Sequence, residues 1–312
     1  MKLVSYKFNN KPGAYRMGCV IDGRVVDLQE GLNSLLQSRQ DHGALRVLDQ
    51  LLPADPNLFF TLGEHAMDQA RKVYDYLAAH KDESLSFALS EVSLGTPISK
   101  PSKIICVGKN YADHAEEMKS AIPEIPVLFA KFPNALIGPQ DAIEKAAVTS
   151  KLDYEVELAV VIGREASKVT KADALQYVAG YTIGNDTSAR DLQKRTPQWL
   201  QGKSHDRSTP IGPWVVTADE IADPHNLSIR SFVNGEKRQD SNTSKLIFDI
   251  PFLIEFISGF MTLEPGDIIM TGTPDGVGFA MDPPQFLQAG DTVILEIDSI
   301  GKMENKVIDR KQ

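Results

Sequence analysis

The sequence Leu152-Asp-Tyr-Glu-Val-Glu-Leu-Ala-Val-Val-Ile-Gly163 joins three alternating acids to an unbroken apolar run. Residues two apart share one face of a β-strand, so Asp153, Glu155 and Glu157 are predicted to point the same way. Neighbouring carboxylates beside a core are costly unless they are protonated or compensated by a cation. A hard divalent ion would compensate them. The alternative is a strand face covered by water, on which acidic pairs are also common.

A second candidate carboxylate is Asp186, which follows an apolar strand predicted at residues 181–184. The alternative role for this residue is the N-cap of a following helix, where Asp is frequent. Two Glu and one Asp, with no Cys or His nearby, would favour Mg²⁺ or Mn²⁺ as the bound ion.

The chain after residue 103 alternates short apolar segments with Gly and Pro. These segments predict strands at residues 104–107, 127–130, 158–162, 181–184, 214–217, 227–233, 268–271 and 292–297. Asn234-Gly235 predicts a hairpin turn, and Asp249 is a candidate N-cap for an amphipathic helix that follows it. Many short strands and few helices favour a β-rich α+β fold over a doubly wound sheet.

The first part of the chain has a different pattern. Residues 3–8 and 16–28 are strand-like, with a turn signal at Asp22-Gly23, and residues 64–80 have helical spacing. A segment with two prolines, residues 95–103, resembles a linker. We therefore predict a small N-terminal α+β domain at residues 1–98 and a second domain at residues 99–312.

The composition excludes some functions. The 312 residues carry a formal net charge of -9, which disfavours nucleic acid and anionic membranes as partners. No apolar run approaches the length of a membrane span, and no export signal is visible, so we expect a cytoplasmic protein. The two cysteines lie in apolar stretches and are expected to be buried.

Several short motifs occur along the second domain in a fixed order. They are Ile105-Cys106-Val107-Gly108-Lys109-Asn110-Tyr111 with His114 and Glu117, then Asp153-Tyr154-Glu155-Val156-Glu157-Leu158, Asn185-Asp186, Ser188-Ala189-Arg190-Asp191-Leu192-Gln193, Gly202-Lys203-Ser204, Gly212-Pro213, Thr271-Gly272-Thr273-Pro274 and Gly276-Val277-Gly278. Each motif alone is weak. Together, over about residues 102–305, they resemble the fumarylacetoacetate hydrolase family.

The resemblance implies a catalytic domain built as a mixed β-sandwich roll, in a protein that forms a homodimer. It implies that Glu155, Glu157 and Asp186 bind the metal, and that Asp153 is a neighbour of the site and not a ligand. Two departures concern specificity. Val107 stands where fumarylacetoacetate hydrolase itself has a fourth carboxylate ligand. His205-Asp206-Arg207 replaces the usual aromatic, Asp and Thr, and its imidazole and guanidinium could change the substrate preference.

The resemblance also gives roles to three candidate catalytic residues. His114 and Glu117 are three apart and would share one face of a short helix, where Glu117 could orient His114 as a general base. The alternative for this pair is an exposed His–Glu pair on an ordinary helix. Lys203 would stabilise a developing enolate or carboxylate, and its alternative is a solvated loop charge.

Four residues are candidates for binding the substrate. Arg190 can hold a carboxylate through two parallel hydrogen bonds, with Gln193 three residues on. A structural salt bridge, with Asp191 or another acid, is the alternative role for Arg190. Thr273 lies in a Gly-rich segment that could equally be a plain turn, and Gln239 follows the second hairpin.

The predicted function is a Mg²⁺- or Mn²⁺-dependent hydrolase that cleaves a carbon–carbon bond in an acylpyruvate-like 2,4-dioxo acid. The cation and Lys203 would hold the charge of the enolate that leaves. Decarboxylation of oxaloacetate and isomerisation of a hydroxymuconate-type acid are alternatives at the same site. A non-catalytic metal or metabolite sensor is a further alternative, which the complete set of acid, base and lysine candidates opposes.

Overall fold

The computed structural model describes residues 1–80 and 83–311 of the chain. Within them the strands are Lys2–Phe8 (β1), Arg16–Ile21 (β2), Arg24–Asp27 (β3), Ser86–Ala88 (β4), Val92–Gly95 (β5), Ile104–Gly108 (β6), Val127–Lys131 (β7), Leu136–Ile137 (β8), Ile143–Lys145 (β9), Leu152–Asp153 (β10), Val156–Ile162 (β11), Val178–Asn185 (β12), Ser188–Ala189 (β13), Thr209–Thr217 (β14), Ser228–Val233 (β15), Glu236–Asn242 (β16), Ile268–Met270 (β17), Thr292–Ile297 (β18) and Gly301–Asp309 (β19). The α-helices there are Leu28–Ser38 (α1), His42–Leu45 (α2), Leu48–Leu51 (α3), Pro56–Thr61 (α4), Glu64–His80 (α5), Ala112–Glu117 (α6), Arg190–Gln193 (α7), Leu200–Lys203 (α8) and Ile250–Ser258 (α9).

The strands form one large sheet and two smaller ones. The large sheet has the order β4-β3-β2-β1-β14-β12-β11-β17-β6-β7, with β5 also paired to β1 and β8 to β14. A five-stranded sheet has the order β16-β15-β18-β19-β9, and β10 pairs with β13 alone. Most pairs are antiparallel, while β6 runs parallel to β17. The predicted β-rich α+β fold is confirmed.

Strand β11 is the centre of the large sheet because both of its faces are covered. Leu158 and Val160 face a core shared with the five-stranded sheet and α9. Ala159 and Val161 face a second core, which is shared with α1 and α5. An apolar residue is therefore favoured at every position of this strand, as the unbroken run indicates.

Local signals place several turns and caps correctly. Asp22-Gly23 and Asn234-Gly235 both have positive φ angles, 49° and 75° in the first turn and 52° and 83° in the second, as tight hairpins require. The Asp249 side chain accepts a hydrogen bond from the amide of Phe252 and caps α9. Helix α5 spans the residues that the helical spacing predicts.

The N-terminal residues share the large sheet with the rest of the chain. Strand β1 pairs with β14, so that Lys2 lies opposite Val216. The core that covers α1 and α5 also contains Ala159 and Val161 of β11. The division at residue 98 stays a prediction, but sheet and core continue across it. Within the described residues, no helix is both long and apolar enough to cross a bilayer.

Candidate metal centre and active site

Three buried carboxylates meet where strands β11 and β12 lie side by side. Val156 pairs with Asn185, so the start of β11 adjoins the end of β12. Glu155 and Glu157 flank Val156, and Asp186 follows Asn185 directly. The amide of Asp186 donates to the carbonyl of Glu155 at 3.0 Å. One oxygen from each of the three carboxylates lies within 4.8 Å of the other two.

Three buried cations contact these acids. Lys203 Nζ lies 2.8 Å from Glu155 Oε2 and 2.6 Å from Asp186 Oδ2. Lys131 Nζ lies 2.8 Å from the other oxygen of Asp186. Arg190 Nη2 lies 2.7 Å from Glu155 Oε1. Lys131 carries no signal of this role in the sequence, because one lysine near the end of a short apolar strand is usually solvent-exposed.

Glu157 differs from its two neighbours in charge compensation. Burial would raise the pKa of Glu155, but Lys203 and Arg190 outweigh burial and the pKa is lowered. Burial, together with Asp186 and Glu155, raises the pKa of Glu157 well above its ordinary value. In the described part of the chain, Glu157 has no salt bridge, and its Oε2 accepts a hydrogen bond from the Gly272 amide at 2.9 Å. Among the described residues, Glu157 is therefore the carboxylate of this cluster that no cation contacts directly.

A divalent cation fits this site. Mg²⁺ and Mn²⁺ prefer carboxylate oxygens, and in the part of the chain that the structure describes the cluster consists of Glu and Asp alone. Glu155, Glu157 and Asp186 would hold the ion, which would relieve the repulsion that keeps the Glu157 pKa high. Cys106 is buried close to the acids, but burial raises the pKa of its thiol well above normal, which disfavours the thiolate that a metal requires.

Asp153 lies beside the cluster and has other partners. It ends β10, and Tyr154 and Glu155 separate it from β11, so the three acids do not lie on one continuous strand. Its carboxylate accepts from the amides of Gly278 and Phe279 at 2.9 and 3.0 Å, and from Arg190 Nε at 2.8 Å. Asp153 therefore anchors the 271–279 segment to the start of β11.

His114 and Glu117 lie on helix α6 at the edge of the site. His114 Nδ1 is 3.4 Å from Glu117 Oε2, which is near but lacks hydrogen-bond geometry. Glu117 Oε1 accepts from the amide of Gly276 at 2.9 Å, so the helix is tied to the 271–279 segment. His114 is buried, at 6% exposure, which disfavours the alternative of an exposed His–Glu pair.

One pocket of about 230 Å³ brings most of the candidate residues together. Its lining contains His114, Glu155, Glu157, Asp186, Arg190, Gln193, Lys203 and Thr273. It also contains Lys109 and Lys194, which the sequence analysis did not assign to the site, and the apolar side chains of Val107, Phe129 and Trp199.

The contacts of Arg190, Lys203 and Asp186 can be compared with the alternative roles that the sequence allows for them. Arg190 makes buried salt bridges with Asp153 and Glu155 while it lines the pocket. Lys203 is buried and is not a solvated loop charge. Asp186 does not cap a helix, because β13 intervenes and the N-cap position of α7 is Ala189, which makes no side-chain cap bond.

Gln239 and Thr273 are linked to each other. Gln239 is buried and does not belong to the pocket lining. Its Oε1 accepts from the amide of Val156 at 3.1 Å, and its Nε2 donates to Thr273 Oγ1 at 2.7 Å. In this arrangement Gln239 supports Thr273, and Thr273 is the one that reaches the pocket.

His205 and Arg207 are the residues whose imidazole and guanidinium could change the substrate preference, according to the sequence. Neither residue lines the pocket. The His205 imidazole lies 2.8 Å from the carbonyl of Gln201, and Arg207 Nε donates to Glu144 at 2.6 Å. These two side chains therefore make contacts outside the pocket lining.

Comparison with known proteins agrees with this site. A family model described as "Fumarylacetoacetate (FAA) hydrolase C-terminal" matches residues 103–308. The oxaloacetate tautomerase YisK of Bacillus subtilis is 45% identical over 296 residues, covering 93% of this chain and 95% of the relative. The mitochondrial oxaloacetate tautomerase fahd2 of Xenopus laevis is 40% identical over 310 residues, covering 99% and 90%. The maleylpyruvate hydrolase of Sphingobium sp. SYK-6, solved with manganese(II) and pyruvate, superimposes with a TM-score of 0.76 at 30% identity, covering 100% of both chains.

Proposed function

The chain belongs to the fumarylacetoacetate hydrolase family, and from this premise we propose that it is a divalent-metal-dependent enzyme that interconverts the keto and enol forms of oxaloacetate. The observation that carries the proposal is the joint presence of three metal-type carboxylates, a buried lysine and an imidazole in one small pocket. Two relatives that span nearly the whole chain are named oxaloacetate tautomerases.

The reaction moves one proton between C3 and the 2-oxo oxygen. Glu155, Glu157 and Asp186 would hold the cation, which would supply Lewis-acid chemistry for the 2-oxo group. His114 takes the proton from C3, and the electron pair of that C–H bond moves towards the 2-oxo oxygen. Lys203 places positive charge beside that oxygen. Glu117 orients the imidazole, and transfer of the proton from His114 to the 2-oxo oxygen completes the keto-to-enol conversion. The enol-to-keto conversion runs through the same steps in reverse.

Hydrolysis of an acylpyruvate-like acid is the second candidate. The motifs of the sequence favour this reaction over the others. It becomes the second candidate because two relatives that span nearly the whole chain are named oxaloacetate tautomerases. The observation in its favour is the His114–Glu117 pair, which could deprotonate a water molecule beside the same pocket. Decarboxylation of oxaloacetate needs the same charge stabilisation but no base, and it is expected as a side activity.

Three parallel assays of one preparation test the proposal. The protein is loaded with Mn²⁺ or Mg²⁺ for all three assays. The first assay follows the enol-to-keto conversion of oxaloacetate by absorbance, and the second measures the release of CO₂ from oxaloacetate. The third assay measures the cleavage of an acylpyruvate. Free metal alone and chelated protein correct for the spontaneous conversion. We expect kcat/KM to be highest for tautomerisation and to be lost in Glu157→Gln. A higher kcat/KM for acylpyruvate cleavage would instead establish hydrolysis as the main reaction.

The homodimer and the cytoplasmic location remain proposals that rest on the family resemblance and on the sequence. Light scattering of the purified chain tests the first, and cell fractionation tests the second.

A further inference from the structure

Two lysines of the pocket lining differ from its other cations in their contacts with carboxylates. In the described part of the chain, neither Lys109 nor Lys194 has a carboxylate within the 4.0 Å of a salt bridge. The deeper cations differ, because Arg190 contacts Asp153 and Glu155, and Lys203 contacts Glu155 and Asp186. Lys109 and Lys194 are therefore the lysines of this lining whose charge remains available to a ligand.

Lys194 is held at the pocket by an aromatic ring. Its Nζ lies 3.8 Å from the centre of the Phe279 ring, and the Arg190 guanidinium is 6.0 Å from the same ring. A cation over an aromatic face is attracted to it, so the amine has a preferred position without an ion pair. Burial and the positive charge of Arg190 lower the pKa of Lys194. A bound anion would offset the repulsion between the two positive side chains.

Lys109 has a strained backbone at the same pocket. Its φ angle is 56°, in the left-handed region that residues other than glycine seldom occupy. Such conformations are kept where the surrounding structure or a function demands them. Lys109 follows β6 directly, so the end of this strand presents the lysine at the pocket.

The net negative charge of the protein means that an anionic substrate depends on local positive charge in the pocket. A net charge of -9 repels small anions in general, and three carboxylates lie in the same lining. An anionic substrate therefore needs local positive charge in addition to a metal. Arg190 and Lys203 already contact carboxylates at the metal end of the pocket, so Lys109 and Lys194 are the lining cations left to face a second anionic group.

We propose that Lys109 and Lys194 form a subsite for the second carboxylate of a 2-oxo diacid. The first carboxylate and the 2-oxo group would lie at the Glu155–Glu157–Asp186 end of the pocket, which is the part of this inference that rests on the proposed function. The pocket then binds 2-oxo diacids in preference to 2-oxo monoacids of equal chain length.

A matched ligand pair tests the subsite. 2-Oxoglutarate and 2-oxopentanoate have the same chain length and head group, but the diacid has a carboxylate where the monoacid has a methyl group. Their affinities for the Mn²⁺-loaded protein are measured by calorimetry. We expect the diacid to bind about tenfold tighter or more, the range for a hydrogen-bonded charge pair. Added salt should reduce this preference, because the interaction is electrostatic.

Variants assign the preference to the two lysines. Lys194→Gln and Lys109→Gln should each lower the diacid-to-monoacid affinity ratio, and the double variant should bring it close to one while monoacid affinity changes less than about twofold. Lys72→Gln on the exposed side of α5 removes the same charge outside the pocket and should keep the wild-type ratio. Unfolding curves verify that each variant is folded.

Two results would overturn the subsite. One is equal affinity of the wild type for both ligands, and the other is an unchanged ratio in the folded double variant. The proposed reaction is tested separately, since binding needs no turnover. A protein that shows the expected ratios but does not turn over oxaloacetate would retain the subsite and lose the proposed reaction.

Discussion

The Nζ atom of Lys131 lies 2.8 Å from Oδ1 of Asp186, and both side chains are completely buried. Lys203 contacts the other oxygen of the same carboxylate at 2.6 Å. Lys131 also donates to the carbonyl of Thr187 at 3.1 Å. Strand β7 and helix α8 therefore hold Asp186 from two sides, and Lys131 positions a candidate metal ligand without lining the pocket itself.

We expect Lys131→Met to destabilise the metal-free protein by about 3–5 kcal/mol, the usual cost of removing one partner of a buried ion pair. It should also weaken Mn²⁺ binding, because Asp186 loses the contact that fixes its orientation. Chemical denaturation and calorimetry measure the two effects. Lys302→Met is the matched control, since its exposed ion pair with Glu304 should contribute less than about 1 kcal/mol. Equal effects of both substitutions would contradict the positioning role.

The sequence predicted the cluster but not its supporting contacts. The resemblance to the fumarylacetoacetate hydrolase family implied a metal-binding role for Glu155, Glu157 and Asp186, while the local strand pattern alone was equally compatible with a solvated face. Lys131 was missed because its contact with Asp186 joins residues 55 positions apart. The same limit applies to the pairing of β1 with β14. Such long-range pairings depend on the whole sheet and leave no local pattern.

The raised pKa of Glu157 predicts that metal stabilises the protein more as the pH rises. The folded, metal-free protein retains a proton on Glu157 above the ordinary pKa of 4.5, so ionisation costs stability as the pH increases through that range. A bound cation replaces the proton and removes this loss. The rise in melting temperature caused by Mn²⁺ should therefore be larger at about pH 7.5 than at about pH 5.5. If Glu157→Gln binds Mn²⁺ with the same pH dependence, another group carries the effect.

Residues 112–126 are predicted to become ordered when a ligand binds. Helix α6 carries His114 and Glu117, whose 3.4 Å separation lacks hydrogen-bond geometry. The segment after it is irregular, and Ile122 and Ile125 are 58% and 63% exposed. At saturating metal, oxalate should slow hydrogen exchange in this segment and leave α5 unchanged. Equal protection with and without oxalate would show that the segment does not close on the site.

Asp153→Asn tests whether the 271–279 segment depends on the neighbouring carboxylate. The Asp153 carboxylate accepts hydrogen bonds from Gly278, Phe279 and Arg190 through both of its oxygens. The asparagine side chain has one acceptor oxygen, so it cannot accept all three of them. We expect a loss of about 1–3 kcal/mol in unfolding free energy for the buried donor left without a partner. Metal affinity should change much less than in Glu157→Gln, because Asp153 does not belong to the cluster. A comparable loss of metal affinity in both variants would make Asp153 part of the metal site.

His114→Ala separates the reactions that share the pocket. Tautomerisation and acylpyruvate hydrolysis both require a proton to be taken from carbon or from water, so each should fall by roughly 10²–10⁴-fold, the usual contribution of a general base. Decarboxylation of oxaloacetate should fall less, because loss of CO₂ needs charge stabilisation but no base. Glu155→Gln should reduce all three, since it removes a candidate metal ligand that also pairs with Lys203. Steady-state kinetics of both variants on oxaloacetate and on an acylpyruvate measure these differences. If tautomerisation survives in His114→Ala with intact metal binding, the proton is moved by a group other than His114.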